Sequence, residues 1–176
     1  MCWSGPIQFK KQHVSAEKAE SCAIGDFDGD GHQDIATGSY WIRGPRFEER
    51  FHFRELRRTI PTNPSSTLSP DDFTLSHDVD GDGFDDVVSG GHDYGLFWYK
   101  SPGTTEDGLW ERIVIDADRP PKGIPDIESL DHNVPYHCSV WVDIDNDGRA
   151  EEIISEGMNA RENLNLRWVK YENGAW

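Results

Sequence analysis

The sequence predicts an all-β fold organised as about three blades of a β-propeller. One acidic loop pattern occurs three times in the 176 residues, beginning at Asp26, Asp78 and Asp143. The copies are 52 and 65 residues apart, which is close to the length of a four-stranded propeller blade with its loops. Short apolar or alternating segments flank each copy, as expected of β-strands, and no amphipathic helical pattern exceeds two turns.

Each repeat is expected to contain the same series of strands. A short strand comes before the acidic loop, a second strand follows it, and an aromatic strand comes third. The predicted aromatic strands cover residues 40–42, 96–100 and 166–171. In the second repeat a Ser-Pro-Gly turn leads into a predicted outer edge strand at residues 110–115. The predicted repeats, all within one domain of residues 1–176, cover residues 20–60, 72–116 and 136–176.

The two ends of the chain predict an incomplete ring. Residues 1–14 are similar to the second half of the middle repeat, so we expect them to form part of a preceding or closing blade. The third repeat has an aromatic strand and a turn but no final strand, which the N-terminal segment could supply. Three blades are fewer than the four to eight of a closed propeller. We therefore expect a partial propeller that is a fragment of a larger one or that assembles with further copies.

Composition excludes several classes of function. The 33 acidic and 17 basic residues give a net charge of −16, which disfavours binding to nucleic acids and to anionic lipid surfaces. No apolar stretch approaches the roughly 18 residues of a membrane-spanning helix. Cys2, Cys22 and Cys138 form no CxxC pair, so they predict neither a zinc cage nor a disulfide framework; one disulfide bond remains open, and none is the simpler expectation.

The three acidic loops are predicted metal sites. Carboxylates occupy positions 1, 3, 5 and 9 of each loop, and a glycine occupies position 6. Alternate carboxylates on a tightly turning backbone converge on one point, and a set of hard oxygen ligands favours Ca²⁺. A plain polar hairpin turn is the alternative, whereas an EF-hand is excluded because position 12 lacks its glutamate. The predicted carboxylate ligands are Asp26, Asp28, Asp30 and Asp34; Asp78, Asp80, Asp82 and Asp86; and Asp143, Asp145, Asp147 and Glu151.

These loops resemble FG-GAP/VCBS-type repeats, the calcium-binding blades of integrin-α-like β-propellers. The resemblance covers roughly residues 20–115 and 136–172. It implies that each loop joins the two inner strands of a blade and that up to three calcium ions bind. It also implies that the main-chain carbonyl at position 7 is a ligand, which adds His32, Phe84 and Arg149.

The third repeat departs from the pattern of the other two. It has Asn146 where they have glycine, and the consecutive residues Glu151 and Glu152 where they have an aspartate followed by an apolar residue. Spacing assigns the ninth position to Glu151, with Glu152 one residue away. We expect this third site to bind its ion more weakly than the other two.

Histidine and tyrosine residues are expected at the face opposite the acidic loops. Strand lengths of about 3.3 Å per residue bring the far ends of the strands to that face. The predicted substrate-binding residues there are Tyr40, His92, Tyr94, Tyr136 and His137. The alternative is that they are rim residues bonded to the backbone. The recurring tryptophans Trp3, Trp41, Trp98 and Trp168 are interpreted as packing residues rather than platforms for sugars.

Two functions follow from these expectations. The first is a calcium-binding module outside the cytosol, secreted, periplasmic or at the cell surface, with a binding or scaffold role towards a glycan or a protein. The second is the propeller portion of a carbohydrate-active enzyme, similar to a polysaccharide lyase or an aldos-2-ulose dehydratase, that uses the histidine and tyrosine face. The sequence contains no GxSxG, HExxH, phosphate-loop or CxxC motif, which favours the binding module.

Overall fold

A computed structural model describes residues 8–16, 19–56, 71–91, 95–116, 136–157 and 165–176. The regular secondary structure of these residues is entirely β, in agreement with the predicted fold class. No helix long and apolar enough to span a membrane occurs among them. The strands are β1 (Cys22–Gly25), β2 (Asp34–Thr37), β3 (Tyr40–Ile42), β4 (Arg50–His52), β5 (Phe73–His77), β6 (Asp86–Gly91), β7 (Gly95–Lys100), β8 (Glu111–Asp116), β9 (Tyr136–Val142), β10 (Glu152–Gly157) and β11 (Asn165–Lys170).

The strands form three antiparallel sheets, each with its strands in sequence order. We name them blade 1 (β1–β4), blade 2 (β5–β8) and blade 3 (β9–β11). The predicted aromatic strands are β3, β7 and β11, and the predicted edge strand is β8. Blade 3 has three strands in the described part of the chain, and β11 is its outermost strand. The sheets do not close into a ring, so the molecule is a partial propeller, as predicted.

The first apolar core lies between blades 1 and 2. Alternation along the strands turns Ala36 and Trp41 of blade 1 towards Val87 and Tyr99 of blade 2. All four side chains are buried. Burying an aliphatic or aromatic side chain contributes about 1.5–3 kcal/mol, so this interface is a main source of stability.

A second core of the same design lies between blades 2 and 3. Val88 and Trp98, on the opposite face of blade 2, pack with Ile153 and the half-buried Val169 of blade 3. Burial of Trp98, like that of Trp41, confirms its predicted packing role. Trp168 is exposed, so the predicted packing role does not hold for it among the described residues.

A buried ion pair ties the end of blade 1 to the start of blade 2. The Arg54 guanidinium donates from Nη2 to Asp71 Oδ2 (2.9 Å) and from Nε to the Gly38 carbonyl (2.7 Å). It also lies 5.4 Å from the centre of the Tyr99 ring. Because both charged side chains are excluded from water, each depends on the other for compensation.

The predicted domain ends remain predictions. Residues 1–7 lie outside the described residues, and residues 8–16 form no strand. In this segment Gln12 Nε2 donates to the main-chain carbonyl of Arg46 (3.3 Å). The segment thus contacts blade 1.

We expect Arg54→Met to lower the free energy of unfolding by about 3–5 kcal/mol, because it leaves the Asp71 carboxylate buried without its cation. Urea denaturation followed by tryptophan fluorescence measures this loss. The matched control is Arg50→Met, which removes an exposed guanidinium 4.7 Å from the Tyr40 ring and is expected to cost under about 1 kcal/mol. Equal losses in the two variants would show that the buried pair does not stabilise the fold.

Candidate metal centres

Each acidic loop joins the first and second strands of its blade. The loops connect β1 to β2, β5 to β6 and β9 to β10. Neighbouring blades meet along their first strands, which makes these the inner strands of the array. The loops therefore lie at the inner edge of each blade, all at the same end of the sheets.

The backbone of the three loops turns in the same way. Positions 4 and 6 have positive φ angles, a conformation that favours glycine and, among other residues, asparagine. Asn146, at φ 64°, takes the conformation of the glycines at the same position in the other loops. The departure of the third repeat from the sequence pattern therefore does not change its turn. The six residues are Gly29 and Gly31, Gly81 and Gly83, and Asn146 and Gly148.

The carboxylate at position 1 accepts two main-chain hydrogen bonds in each loop. In the first loop, Asp26 accepts from the N–H of Asp30 (3.1 Å) and of Gly31 (2.9 Å). The second and third loops repeat the arrangement at 2.9–3.0 Å around Asp78 and Asp143. The backbone of each loop thus holds its first carboxylate in place.

The carboxylate at position 9 closes the first two loops from the strand that follows. Asp34 is buried and accepts from the N–H of Phe27 (3.0 Å) and of Gly44 (2.7 Å). Asp86, also buried, accepts from Val79 (3.2 Å) and, at 2.7 Å, from Ser101 N–H. Each carboxylate therefore joins its own loop to the end of the third strand.

In the third loop Glu152 takes this place, one residue after the predicted Glu151. Its buried carboxylate accepts from the N–H of Ile144 (3.0 Å), the residue that corresponds to Phe27 and Val79. Glu151 instead contacts Arg149 (3.0 Å). The third loop is one residue longer than the others, so counting from its first aspartate stops one residue early.

Three carboxylates converge in every loop. Their nearest oxygens lie within 4.8 Å of one another, and a calcium ion with ligands at about 2.3–2.6 Å spans such a distance. In the second cluster the buried Asp80 Oδ1 has no hydrogen-bond partner. In the first and third clusters the corresponding buried oxygens face a basic group: Asp28 Oδ2 is 2.6 Å from Arg43 Nε, and Glu152 Oε1 is 2.8 Å from Lys170 Nζ. Converging carboxylates whose buried oxygens face a positive charge or lack a partner fit a metal site. The clusters are Asp26, Asp28 and Asp34; Asp78, Asp80 and Asp86; and Asp143, Asp145 and Glu152.

The other predicted ligands lie around these clusters. The aspartates at position 5 accept the N–H of the residue at position 7 at 2.9–3.1 Å. This bond pairs Asp30 with His32, Asp82 with Phe84, and Asp147 with Arg149. The carbonyls of the three residues at position 7 stay predicted ligands.

Each site also contains a basic residue that was not predicted from the sequence. In every blade it lies at the end of the third strand, across from the position-9 carboxylate, as the pairing of Lys170 with Glu152 shows. Lys170 Nζ is 2.6 Å from Asp145 and 2.8 Å from Glu152. Lys100 contacts Asp80 and is 3.2 Å from Asp82. The sequence feature that could have identified these residues is a basic residue at or next to the end of each predicted aromatic strand.

Arg43 has this position in blade 1. Its Nη2 donates to Asp30 at 2.8 Å. Its Nε is 2.6 Å from Asp28 Oδ2 but is not aligned for a hydrogen bond, so this second contact is an ion pair alone. The three basic residues supply positive charge to the strongly acidic loops.

Electrostatics at the sites shift several pKa values. Burial raises the pKa of Asp34 to about 6 and that of Asp86 to about 7. Hydrogen bonding to Asp145 and Glu152 raises the pKa of Lys170, and the same lysine lowers the pKa of Asp145. Asp34 and Asp86 therefore resist ionisation unless positive charge compensates them.

The residues predicted on the opposite face do not form a described cluster. Tyr40 is half-buried in blade 1, with its ring 5.3 Å from that of His52. Tyr136 is buried in the core between blades 2 and 3. His92 and Tyr94 lie outside the described residues, as does the side chain of His137.

Comparison with known families identifies the first loop. Residues 20–41 match the model of the FG-GAP repeat, which covers β1, the first acidic loop, β2 and the start of β3. Searches of the curated proteins and of the solved structures return no significant match to this chain. The second and third loops repeat the strand order of the first. They also repeat its main-chain hydrogen bonds to the carboxylates at positions 1 and 5 and to the buried carboxylate that begins the second strand. The chain thus contains an FG-GAP repeat at residues 20–41, and its described strands have the fold of a partial β-propeller.

Proposed function

We propose that this protein is a calcium-binding propeller module that acts outside the cytosol as a binding or scaffold unit for a glycan or a protein. The observation that supports it most is the threefold recurrence of one cluster of three converging carboxylates, one of which is the buried carboxylate that begins the second strand. A single acidic cluster is common on protein surfaces. Three clusters with the same loop conformation and the same main-chain hydrogen bonds favour a shared ligand.

The chemistry of the clusters favours calcium over other cations. The donors are carboxylate oxygens, and no histidine nitrogen or cysteine sulfur belongs to the described clusters, which disfavours zinc and copper. Carboxylates at positions 1, 3 and 9, with positions 5 and 7 next to them, suit the six to eight oxygens that Ca²⁺ takes. Mg²⁺ usually retains several waters and takes fewer carboxylates.

The role proposed for the ion is structural. The first two loops are bonded to each other: the N–H of Asp26 donates to Asp85 Oδ2 (2.8 Å), and the N–H of Asp85 donates to the Asp26 carbonyl (3.0 Å). Ser101 Oγ also donates to the carbonyl of Phe27 (2.7 Å). An ion that holds a loop in shape would therefore stabilise the contact between blades.

The built-in basic residues support a location outside the cytosol. Arg43, Lys100 and Lys170 each neutralise part of one cluster, so calcium must displace them or share the carboxylates with them, which weakens its binding. Sites with dissociation constants of about 10⁻⁴–10⁻³ M are typical of extracellular modules and fill only at calcium levels outside the cytosol. No observation on the described residues favours the carbohydrate-active enzyme.

Calcium is expected to raise the melting temperature by about 5 °C or more over the value in EDTA, because it binds only the folded state. Differential scanning calorimetry measures the shift, and isothermal titration gives the number of ions. Asp28→Asn should reduce both the melting-temperature shift and the number of bound ions. Asp107→Asn, at an exposed carboxylate outside the clusters, should change neither. Identical melting curves with calcium and with EDTA would refute the calcium site.

A glycan array probed with the protein in the presence of calcium tests for a glycan ligand. Binding to none of the glycans would favour a protein ligand.

Without calcium, stability is expected to fall as pH rises from about 4 to about 7. The raised pKa values of Asp34 and Asp86 mean that the folded state keeps protons that the unfolded state loses near pH 4. The stabilisation is full below that pH and is lost through pH 6–7. Urea denaturation at several pH values in EDTA measures it.

Calcium should reduce this pH dependence, since the ion stabilises the ionised carboxylates. The double variant Asp34→Asn, Asp86→Asn should reduce it as well, because neither amide titrates. If the free energy of unfolding changes with pH by the same amount in EDTA, in calcium and in the double variant, the pH dependence does not come from Asp34 and Asp86.

Lys170→Met should raise the calcium affinity of the third site by about 5- to 30-fold, since it removes a positive charge next to Asp145 and Glu152. It should also destabilise the protein in EDTA. Calcium titration of the variant measures the change, with Lys11→Met, at an exposed residue far along the chain from the loops, as the control. Unchanged or weaker affinity would show that the lysine does not compete with the ion.

A further inference from the structure

Both contacts between blades use the same pairing of faces. We call the face that a blade turns to the next blade in sequence its leading face, and the other its trailing face. The leading face of blade 1 carries the paired residues Ala36 and Trp41, and that of blade 2 carries Val88 and Trp98. Each packs on the trailing face of the blade that follows. The array is therefore built by repeating one leading-to-trailing contact.

The leading face of blade 3 is uncovered in the described array, and the trailing face of blade 1 is uncovered at its inner strand, although Ile42 on its third strand is buried. Strand pairing places Ile154 and Trp168 of blade 3 at the positions of Ala36 and Trp41 in blade 1. Trp41 is fully buried, whereas Trp168 is 59% exposed. The difference arises because no described blade covers the leading face of blade 3.

The open faces are apolar. Leu166 and Val140, on the leading face of blade 3 with Trp168, are 73% and 56% exposed. On the trailing face of blade 1, Ile24 is 60% exposed and is paired with the half-buried Ile35. Exposed apolar residues grouped on one sheet face mark an interaction surface.

We propose that the leading face of blade 3 binds the trailing face of blade 1 of a second copy of this chain. The contact would repeat the one that already joins blades 1 and 2 and blades 2 and 3, with apolar rows on both sides. The three described blades of two copies total six, which lies within the four to eight of closed propellers. A contact between unlike faces forms a closed ring where the rotation between the copies closes, and a ring of two copies leaves neither of these faces open.

Two cysteines occupy the positions that meet across this contact. Between blades 1 and 2, the hydroxyls of Ser21 and Thr74 are 2.7 Å apart. Ser21 is five residues before the first aspartate of its loop, as is Cys138; Thr74 is four residues before, as is Cys22. Both cysteines are exposed in the described structure. The proposed pairing therefore places Cys138 of one copy against Cys22 of the other.

The first test is the mass of the protein in solution. Light scattering after size exclusion should give about twice the 20.0 kDa of one chain. Trp168→Glu and Ile24→Glu, on opposite sides of the contact, should each give monomers, while Val114→Glu, at an exposed position of the outer strand β8, should leave the dimer intact. A monomeric wild-type chain would overturn the proposal. So would a dimer lost only in Trp168→Glu, because that result indicates pairing of two blade 3 faces.

The second test uses the cysteines as reporters, in a Cys2→Ser background. With oxidised glutathione, each pair of thiols gives up two electrons and two protons to form a disulfide, and two molecules of reduced glutathione are released. A covalent dimer is expected; Cys22→Ser and Cys138→Ser should each abolish it, and a mixture of these two variants should restore a singly linked dimer. A covalent dimer that survives in Cys22→Ser alone would overturn the proposal, as would a disulfide within one chain.

Discussion

The constraint on which the structure depends is the hydrogen bond from the main chain at position 2 of each loop to the carboxylate that opens the second strand. Asp34, Asp86 and Glu152 are all buried, and each accepts this bond. The bond closes the acidic loop and fixes where the second strand begins. Because side chains alternate along a strand, it also decides which residues point to which face of the blade. The register at which the second strand begins therefore fixes both the metal clusters and the contacts between blades.

This constraint concentrates negative charge at the inner edge of every blade. Several carboxylates within a few ångströms repel one another, and the position-9 members are buried as well. The third strand compensates the charge, because the residue across from position 9 is basic in all three blades. Arg43, Lys100 and Lys170 thereby link the loop to the middle of the sheet. Much of the net charge of −16 is local to these sites rather than spread over the surface.

The sequence was sufficient to predict the strand order and two of the three carboxylate clusters, because these depend on short segments with a fixed pattern. It was insufficient where the answer depends on pairing between strands. Glu152 required the register of β9 and β10, since the loop there has an extra residue. Lys170 required knowledge of its partner across the sheet. Tyr136 was expected at the face opposite the acidic loops as a binding residue, but the packing of blade 3 on blade 2 covers its side chain.

Whether a blade face is buried depends on the neighbouring blade rather than on the sequence of the blade itself. A sheet of three or four strands has two faces, and neither can be buried within the sheet itself. Trp41, Trp98 and Trp168 occupy equivalent positions, yet only the first two are covered. The close approach of the blades also depends on residues outside the apolar rows: a Cβ atom at Gly25 would lie 2.8 Å from that of Asp85, so only glycine allows the first two loops to bond to each other. Stability of the array thus rises with each blade that finds a partner, and the acidic loops set how closely the blades can approach.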